Sequence, residues 1–377
     1  MIDAHAHLVH VLDFAHVTGD EVLPLFLASG VTSVRDTGDP MVAEKLVARY
    51  AEAHPETCPR VFLCSPLLDT DPPFHRDAGL PVTRAEAIPG LLDDFAAWGA
   101  VTLKIYVGID RPIGRRIIEE GHRHGMLVAG HLGRYRAQDV VADGIDSLEH
   151  IWSVFNFIFP PGDPRVDTSA LEGRAHADLD TLAARDLVAA IRRYGTAVDP
   201  TLAVFRSLLL ADQPEVRSDP DNRHAPERLR HNWAKFLESQ VSSGRFTAEN
   251  ALSRKLEFQK YKDLTGILYR AGVTLLAGTD SPEPFCPPGY SLQRELQLLV
   301  ESGVPPAAAL QAATIQNARM LKMEAKLGGV EPGKLADLLL LDADPLVNIG
   351  NTRRISAVIK GGRICDPAAL LASVPAL

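Results

Sequence analysis

Ile2-Asp3-Ala4-His5-Ala6-His7-Leu8 stands at the start of the chain as a short, mostly apolar run carrying two histidines. Successive side chains of a strand point to opposite faces, so His5 and His7 share one face, about 6–7 Å apart along the backbone. Two imidazoles so placed suit two ligands of one metal ion. The recurrence of similar runs along the chain decides the fold. Seven further β-like runs occur at 31–36, 61–65, 101–107, 127–131, 145–151, 196–201 and 273–279. Amphipathic segments at 42–53, 84–98, 115–124, 136–142 and 181–194 alternate with them. Gly30, Gly99, Gly125, Gly144, Gly195 and Gly272 stand just ahead of strands, where a helix is expected to stop. Eight strands alternating with helices predict an α/β fold, a closed (β/α)8 TIM barrel of parallel strands. An open doubly wound sheet fits less well, because no G-x-G-x-x-G follows an early strand.

The spacing predicts a barrel over 1–325, interrupted between the seventh and eighth strands by a helical insertion at about 203–270. Long insertions in barrels usually cover the catalytic mouth or build subunit contacts. His224 and His231 lie in this insertion and read as surface helix residues. The last segment, 326–377, has β-like runs at 338–341 and 355–360 and predicts a small β-structure, a partial β-sandwich, on the barrel's flank.

The chain has 377 residues, 46% hydrophobic and 23% charged, enough for one large domain and a small annex. Lys and Arg total 39 against 48 Asp and Glu, a formal charge of −9 with no basic run, so nucleic acid is not an expected partner. Cys58, Cys64, Cys286 and Cys365 are scattered and read as the reduced thiols of a cytoplasmic protein. No stretch reaches the roughly 18 apolar residues of a membrane span, and no basic-then-apolar leader precedes the first motif.

Further candidate residues lie at or near the C-terminal ends of predicted strands, where barrel active sites are built. Alternation along 101–107 turns Thr102, Lys104 and Tyr106 inward, against outward Val101, Leu103, Ile105 and Val107. A lysine facing a barrel interior is costly to keep charged, so its pKa falls or it finds partners. His131 ends the fifth strand, His150 the sixth and Asp280 the eighth. Four histidines and an aspartate converging on one mouth point to zinc or a similar divalent ion. An aspartate beside a metal-activated water also serves as a general base.

The set His5-x-His7, Lys104, His131, His150 and Asp280, in this order on strands one, four, five, six and eight, resembles the amidohydrolase superfamily. The likeness extends over nearly the whole chain. Ala312-Ala313-Thr314-Ile315-Gln316-Asn317-Ala318 resembles the helix after the eighth strand, and 328–345 the entry to the small β-sandwich. Leu103-Lys104-Ile105-Tyr106, Ala129-Gly130-His131 and Asp146-Ser147-Leu148-Glu149-His150 look most like the imidazolonepropionase-like, prolidase-like or Xaa-dipeptidase branch. The resemblance implies two divalent ions, zinc first among candidates: His5, His7 and Asp280 on the more buried ion, His131 and His150 on the other. It further implies an N-carboxylated Lys104 bridging both, Asp280 as the catalytic base, a small-molecule substrate and a homo-oligomer.

This chain departs from the pattern in two places. Relatives usually open with an N-terminal piece of the sandwich, so half of the small domain is expected to be missing or built differently. After His131 comes Leu132-Gly133-Arg134-Tyr135 in place of the usual substrate-contacting residues. Tyr106, Arg134 and Tyr135 are the candidate substrate contacts. Arg134 suits bidentate pairing with a substrate carboxylate, favouring a dipeptide or N-acyl amino acid, or it is a solvated arginine at a helix start. Arg35 and Asp36 are expected to pair inside the barrel, and no role is assigned to His10, His16 or His75. The leading expectation is a metal-dependent hydrolase of a C–N bond in an amide or peptide. A mononuclear cyclic-amide hydrolase or deaminase, a carbamate, urea or lactone hydrolase, a Schiff-base aldolase using Lys104 and an inactive metal-binding scaffold are the alternatives.

Overall fold

The computed structural model describes residues 1–167 and 169–374. Nine strands precede the insertion: β1 (Ile2–Ala6), β2 (Ser33–Asp36), β3 (Arg60–Phe62), β4 (Cys64–Asp69), β5 (Gly79–Pro81), β6 (Thr102–Ile105), β7 (Leu127–Gly130), β8 (Ser147–Glu149) and β9 (Ala197–Asp199). They pair in parallel in the orders β1-β2-β3 and β5-β4-β6-β7-β8-β9. The third barrel strand is split at Leu63 into β3 and β4. β3 pairs with β2 and β4 with β6, while the Leu63 carbonyl accepts from Val101 N at 2.9 Å.

The ring closes through 273–281, which carries hydrogen bonds to both neighbours without forming a regular strand. Leu276 N donates to Val198 O at 2.9 Å and Ala4 N to Ala277 O at 3.1 Å, with parallel bridges Val198–Leu275 and Ala6–Ser281. Gly278 permits this approach: a Cβ there would lie 2.2 Å from Asp199 Oδ2 and 2.4 Å from His5 Cβ. The eight-strand barrel read from the sequence is present, but its third strand is interrupted and its eighth is irregular.

Outward-facing Val34, Leu68, Leu103, Val128, Leu148 and Val198 are fully buried between barrel and helices. Each contributes about 1.5–3 kcal/mol of apolar burial. Helix stops follow the glycine pattern, with Gly30, Gly99, Gly125, Gly144, Gly195 and Gly272 all at positive φ. The helix Leu182–Tyr194, for instance, is capped by the Thr181 hydroxyl accepting from Ala184 N, buries Leu187, Val188 and Ile191, and ends at left-handed Gly195.

The insertion contains the helices Leu202–Leu210, Glu227–Ser242 and Ala251–Arg270. It folds back over the barrel mouth: Trp233 Nε1 donates to Pro282 O at 3.3 Å, and the Phe205 ring lies 5.9 Å from that of His150. His231 is exposed, while His224 is half-buried and stacks on Tyr290 with ring centroids 4.0 Å apart. Beyond the barrel, β10 (Leu338–Leu341), β11 (Ile355–Lys360) and β12 (Arg363–Cys365) form one antiparallel sheet. Val358 and Cys365 pack on Leu27 and Ala28 of the helix Gly19–Ala28. The layer opposite this sheet is therefore helical.

Asn317, fully buried, ties the seam together. Its Nδ2 donates to Ile2 O and Ala277 O, both at 2.9 Å, and its Oδ1 accepts from Ala277 N at 3.3 Å. Asn317→Ala strands Ala277 N in a dry site, removes a donor from Ile2 O and leaves Ala277 O with Ala4 N alone. We expect a stability loss of about 2–4 kcal/mol, read as a lower urea midpoint with an unchanged slope.

Candidate metal centre and substrate cavity

The strand ends bring His5, His7 and Asp280 together. His5 Nε2 and His7 Nε2 lie 3.4 and 3.2 Å from Asp280 Oδ1. One ligand atom from each of the three residues falls within 4.8 Å of the others. The His150 ring centroid is 4.7 Å from that of His5 and 4.5 Å from that of His131. Lys104, 1% exposed, lies among them, and its Nζ makes no hydrogen bond or ion pair among the described residues. His150 and Asp280 both adopt left-handed backbone, with φ of 67° and 59°. That conformation is costly for a residue with a Cβ and is typical of functional sites.

The electrostatics match a ligand set. Burial pulls the His7 imidazole down to about 4, with His10 acting in the same direction. Burial and Lys104 take His131 to about 3, while burial and His131 hold His150 well below its ordinary value. These three rings are therefore neutral at pH 7, the form that ligates a cation. Burial and Lys104 also pull His5 down, but Asp280 and Glu149 outweigh them and hold it above its ordinary value. Burial alone would raise Asp280, yet His5 and His150 keep it ionised, well below the usual carboxylate range. Burial lowers the Lys104 amine.

A divalent ion fits this set on the evidence of its free donor atoms. His5 Nε2 and His7 Nδ1 are buried without a hydrogen-bond partner among the described residues. His5 offers Nε2 because its Nδ1 is held 2.6 Å from Glu149 Oε2. His150 Nδ1 is likewise engaged, 2.7 Å from Thr201 Oγ1. Rings anchored from behind at His5 and His150, neutral imidazoles at His7, His131 and His150, and an ionised carboxylate form a typical divalent-metal donor set.

Several residues of the site escaped the sequence reading. Glu149 Oε1 accepts from Arg35 Nη2 at 2.9 Å and Ser147 Oγ at 2.6 Å, so Arg35 pairs with Glu149 and not with Asp36. The clue was available, since alternation about outward Leu148 turns both Ser147 and Glu149 inward. His10, read as background, packs 4.5 Å from the His7 ring and shares a short contact with Asp39, which also accepts from the backbone of Leu8, Val9 and His10. His75 Nε2 lies 3.0 Å from the Tyr106 hydroxyl, and the Tyr106 ring is 4.9 Å from His131. Asp39 and His75 sit on loops and His10 opens the four-residue helix His10–Asp13, segments whose sequence carries no period.

A cavity of about 540 Å³ runs outward from His131, His150 and Asp280 along Trp152, Phe205 and Leu209 to the insertion helices. Of the three candidate substrate contacts, Tyr106, Arg134 and Tyr135, none lines it. Tyr135 is a correction: it is buried in the helix layer against Gly114, with its hydroxyl donating to Asp143 at 2.7 Å. Arg134 is exposed and has no side-chain partner among the described residues. No helix among the described residues is long and apolar enough to cross a membrane.

The model of the family described as "Amidohydrolase family" matches residues 1–365. Adenine deaminase 4 of Rhizobium meliloti (strain 1021) is 34% identical over 73 residues. That match covers 19% of this chain and only 11% of the deaminase's length. Among solved structures, a putative prolidase from Bifidobacterium longum superposes with a TM-score of 0.69 at 24% identity, covering 99% of this chain and 84% of that one. A Xaa-Pro dipeptidase with bound methionine in its active site gives 0.67 at 20% identity, covering 97% and 85%. Likenesses at this identity establish the shared fold.

Glu149→Gln removes the charge that anchors His5. We expect affinity for Zn²⁺ to fall about 10–100-fold in competition with a chromophoric chelator, measured at a temperature where circular dichroism shows the variant folded, and a lower urea midpoint because buried Arg35 loses its charged partner.

Proposed function

Because this chain belongs to the amidohydrolase family, we propose that it is a metal-dependent hydrolase that cleaves the C–N bond of an amide- or peptide-type small molecule. One observation carries the reading: His5 Nε2, buried and unpartnered among the described residues, and His7 Nε2 converge on Asp280 Oδ1 beside His131, His150 and a buried Lys104. In this proposal His5, His7 and Asp280 hold one ion and His131 and His150 a second. Lys104, carboxylated on Nζ, would help to hold both. Burial supports that modification, because only a neutral amine attacks carbon dioxide, forming an N–C bond and releasing one proton. Bound there, divalent ions supply Lewis-acid polarisation of a carbonyl and lower the pKa of a water.

The chain's own groups do the rest. Asp280 presents Oδ1 to His5 and His7, which leaves Oδ2 to take the proton of an attacking water and return it to the departing nitrogen. Glu149 and Thr201 fix the ring orientations of His5 and His150. Trp152, Phe205 and Leu209 give the cavity an apolar wall that limits water. The prolidase and Xaa-Pro dipeptidase likenesses support a dipeptide or N-acyl amino acid as substrate. The adenine deaminase likeness supports hydrolytic deamination as the second reading, covering as it does a shorter part of the chain. Zinc, a cytoplasmic location and a homo-oligomeric assembly belong to the same proposal. Its supports are the donor set for the first and the four buried free cysteines for the second.

Protein purified without chelators should carry about two equivalents of divalent metal per chain, falling towards one in Lys104→Ala. Chelation should abolish amide hydrolysis and added Zn²⁺ restore it. Full activity after complete metal removal would sink the reading.

A further inference from the structure

The cavity's inner wall holds a carboxylate that the proposed chemistry does not use. Glu257, 2% exposed on the insertion helix Ala251–Arg270, lines the cavity beside Tyr261. Its Oε1 is fully engaged, accepting from Arg174 Nε at 2.6 Å and Tyr261 OH at 2.7 Å. Its Oε2 is buried and has no hydrogen-bond partner among the described residues. A buried acceptor left empty is expensive, so its place on a side chain that lines a ligand cavity points to a donor that the ligand brings.

The surroundings define that donor. The His150, Phe205 and Tyr261 rings form a series, with centroid separations of 5.9 and 5.2 Å. An apolar surface therefore separates the hydrolytic centre from Glu257. Arg254 also lines the cavity, but its guanidinium is committed to both oxygens of Asp212, each at 2.7 Å, and to Asn250 Oδ1 at 2.8 Å. Arg174 is tied to Glu257, Tyr261 and Asn156. Arg245 is the exposed cation of the lining, outside this inner wall. A substrate carboxylate seated here would meet Glu257 with no free cation beside it.

We propose that the cavity selects substrates whose side chain spans an apolar stretch and ends in an N–H or O–H donor to Glu257 Oε2, such as a phenol, an indole or an alkylammonium. This deepens the amide-hydrolase reading by naming the class of group beside the scissile bond. A site built to bond a donor rejects the isostere lacking it far more strongly than an apolar pocket rejects a missing methylene.

The test is a set of matched pairs offered to the zinc-loaded protein. Dipeptides and N-acyl amino acids carry tyrosine against phenylalanine, or lysine against norleucine, at each position flanking the scissile bond. Binding is read by calorimetry with Asp280→Asn, and kcat/KM with the wild type. The donor member of at least one pair should bind, and react, at least about tenfold better. Glu257→Gln should shrink that ratio towards one. If that variant fails to fold without its Arg174 partner intact, the wild-type pairs still decide. Equal or reversed preference in every pair overturns the proposal, as does failure of every pair to bind. A donor preference in binding without hydrolysis by the metal-loaded wild type would instead overturn the amide-hydrolase reading and leave this one standing.

Discussion

Glu149 sits where one carboxylate must satisfy two buried groups at once, the Arg35 guanidinium and the His5 imidazole. All three side chains are essentially inaccessible to water. A charge moved out of water costs several kcal/mol unless it is paired and hydrogen-bonded, so none of the three tolerates the loss of another. They also come from three different strands, β8, β2 and β1, and meet only if the sheet closes on itself. Barrel closure and charge satisfaction are therefore one constraint. His5 can offer Nε2 to a metal ion because the closed barrel delivers Glu149 to its Nδ1.

The same constraint explains which parts of the site were legible in the sequence. Alternation is strict within a strand, so Lys104 and Tyr106 were assigned inward from Leu103 and Ile105 alone, and both face the interior. Strand ends marked His131, His150 and Asp280 because a parallel barrel gathers them at one rim. The reading failed once the chain left the strand. Tyr135 is only four residues beyond His131, yet the segment turns into the helix layer, and the bare Gly114 makes room there for its ring. Asp39 and His75 reach the centre through loops and His10 through a single helical turn, and their paths depend on contacts that no period encodes. Glu149 was legible in principle, but the neighbouring His150 drew the reading of that strand.

The insertion shows how far length alone informs. Its excess over a single crossover located it at the mouth, and its helices do wall the cavity there. Which face of each helix points inward was less readily deduced. The helix Ala251–Arg270 buries Arg254 and Glu257 as well as Phe258, Leu264 and Leu268, so no clean apolar stripe distinguishes core from cavity. Arg254 answers to Asp212 in a neighbouring loop and Glu257 to Arg174 in the segment after β8. Such long-range pairs are set by tertiary packing.

His150, Thr201 and Asp280 all sit in the left-handed region near the same rim, with φ of 67°, 46° and 59°. Each costs about 1–3 kcal/mol and persists only where its surroundings over-determine it. Here they do. His150 N donates to Asp199 O at 2.8 Å and Asp280 N to His5 O at 2.8 Å, while Thr201 Oγ1 holds the His150 ring at 2.7 Å. Ordinary β backbone continued past the strand end would carry the next side chain away from the axis. The left-handed step keeps His150 and Asp280 over the mouth. Backbone strain at the rim is thus balanced by the ladder beneath it, and the outcome is a set of donor atoms converged over the mouth.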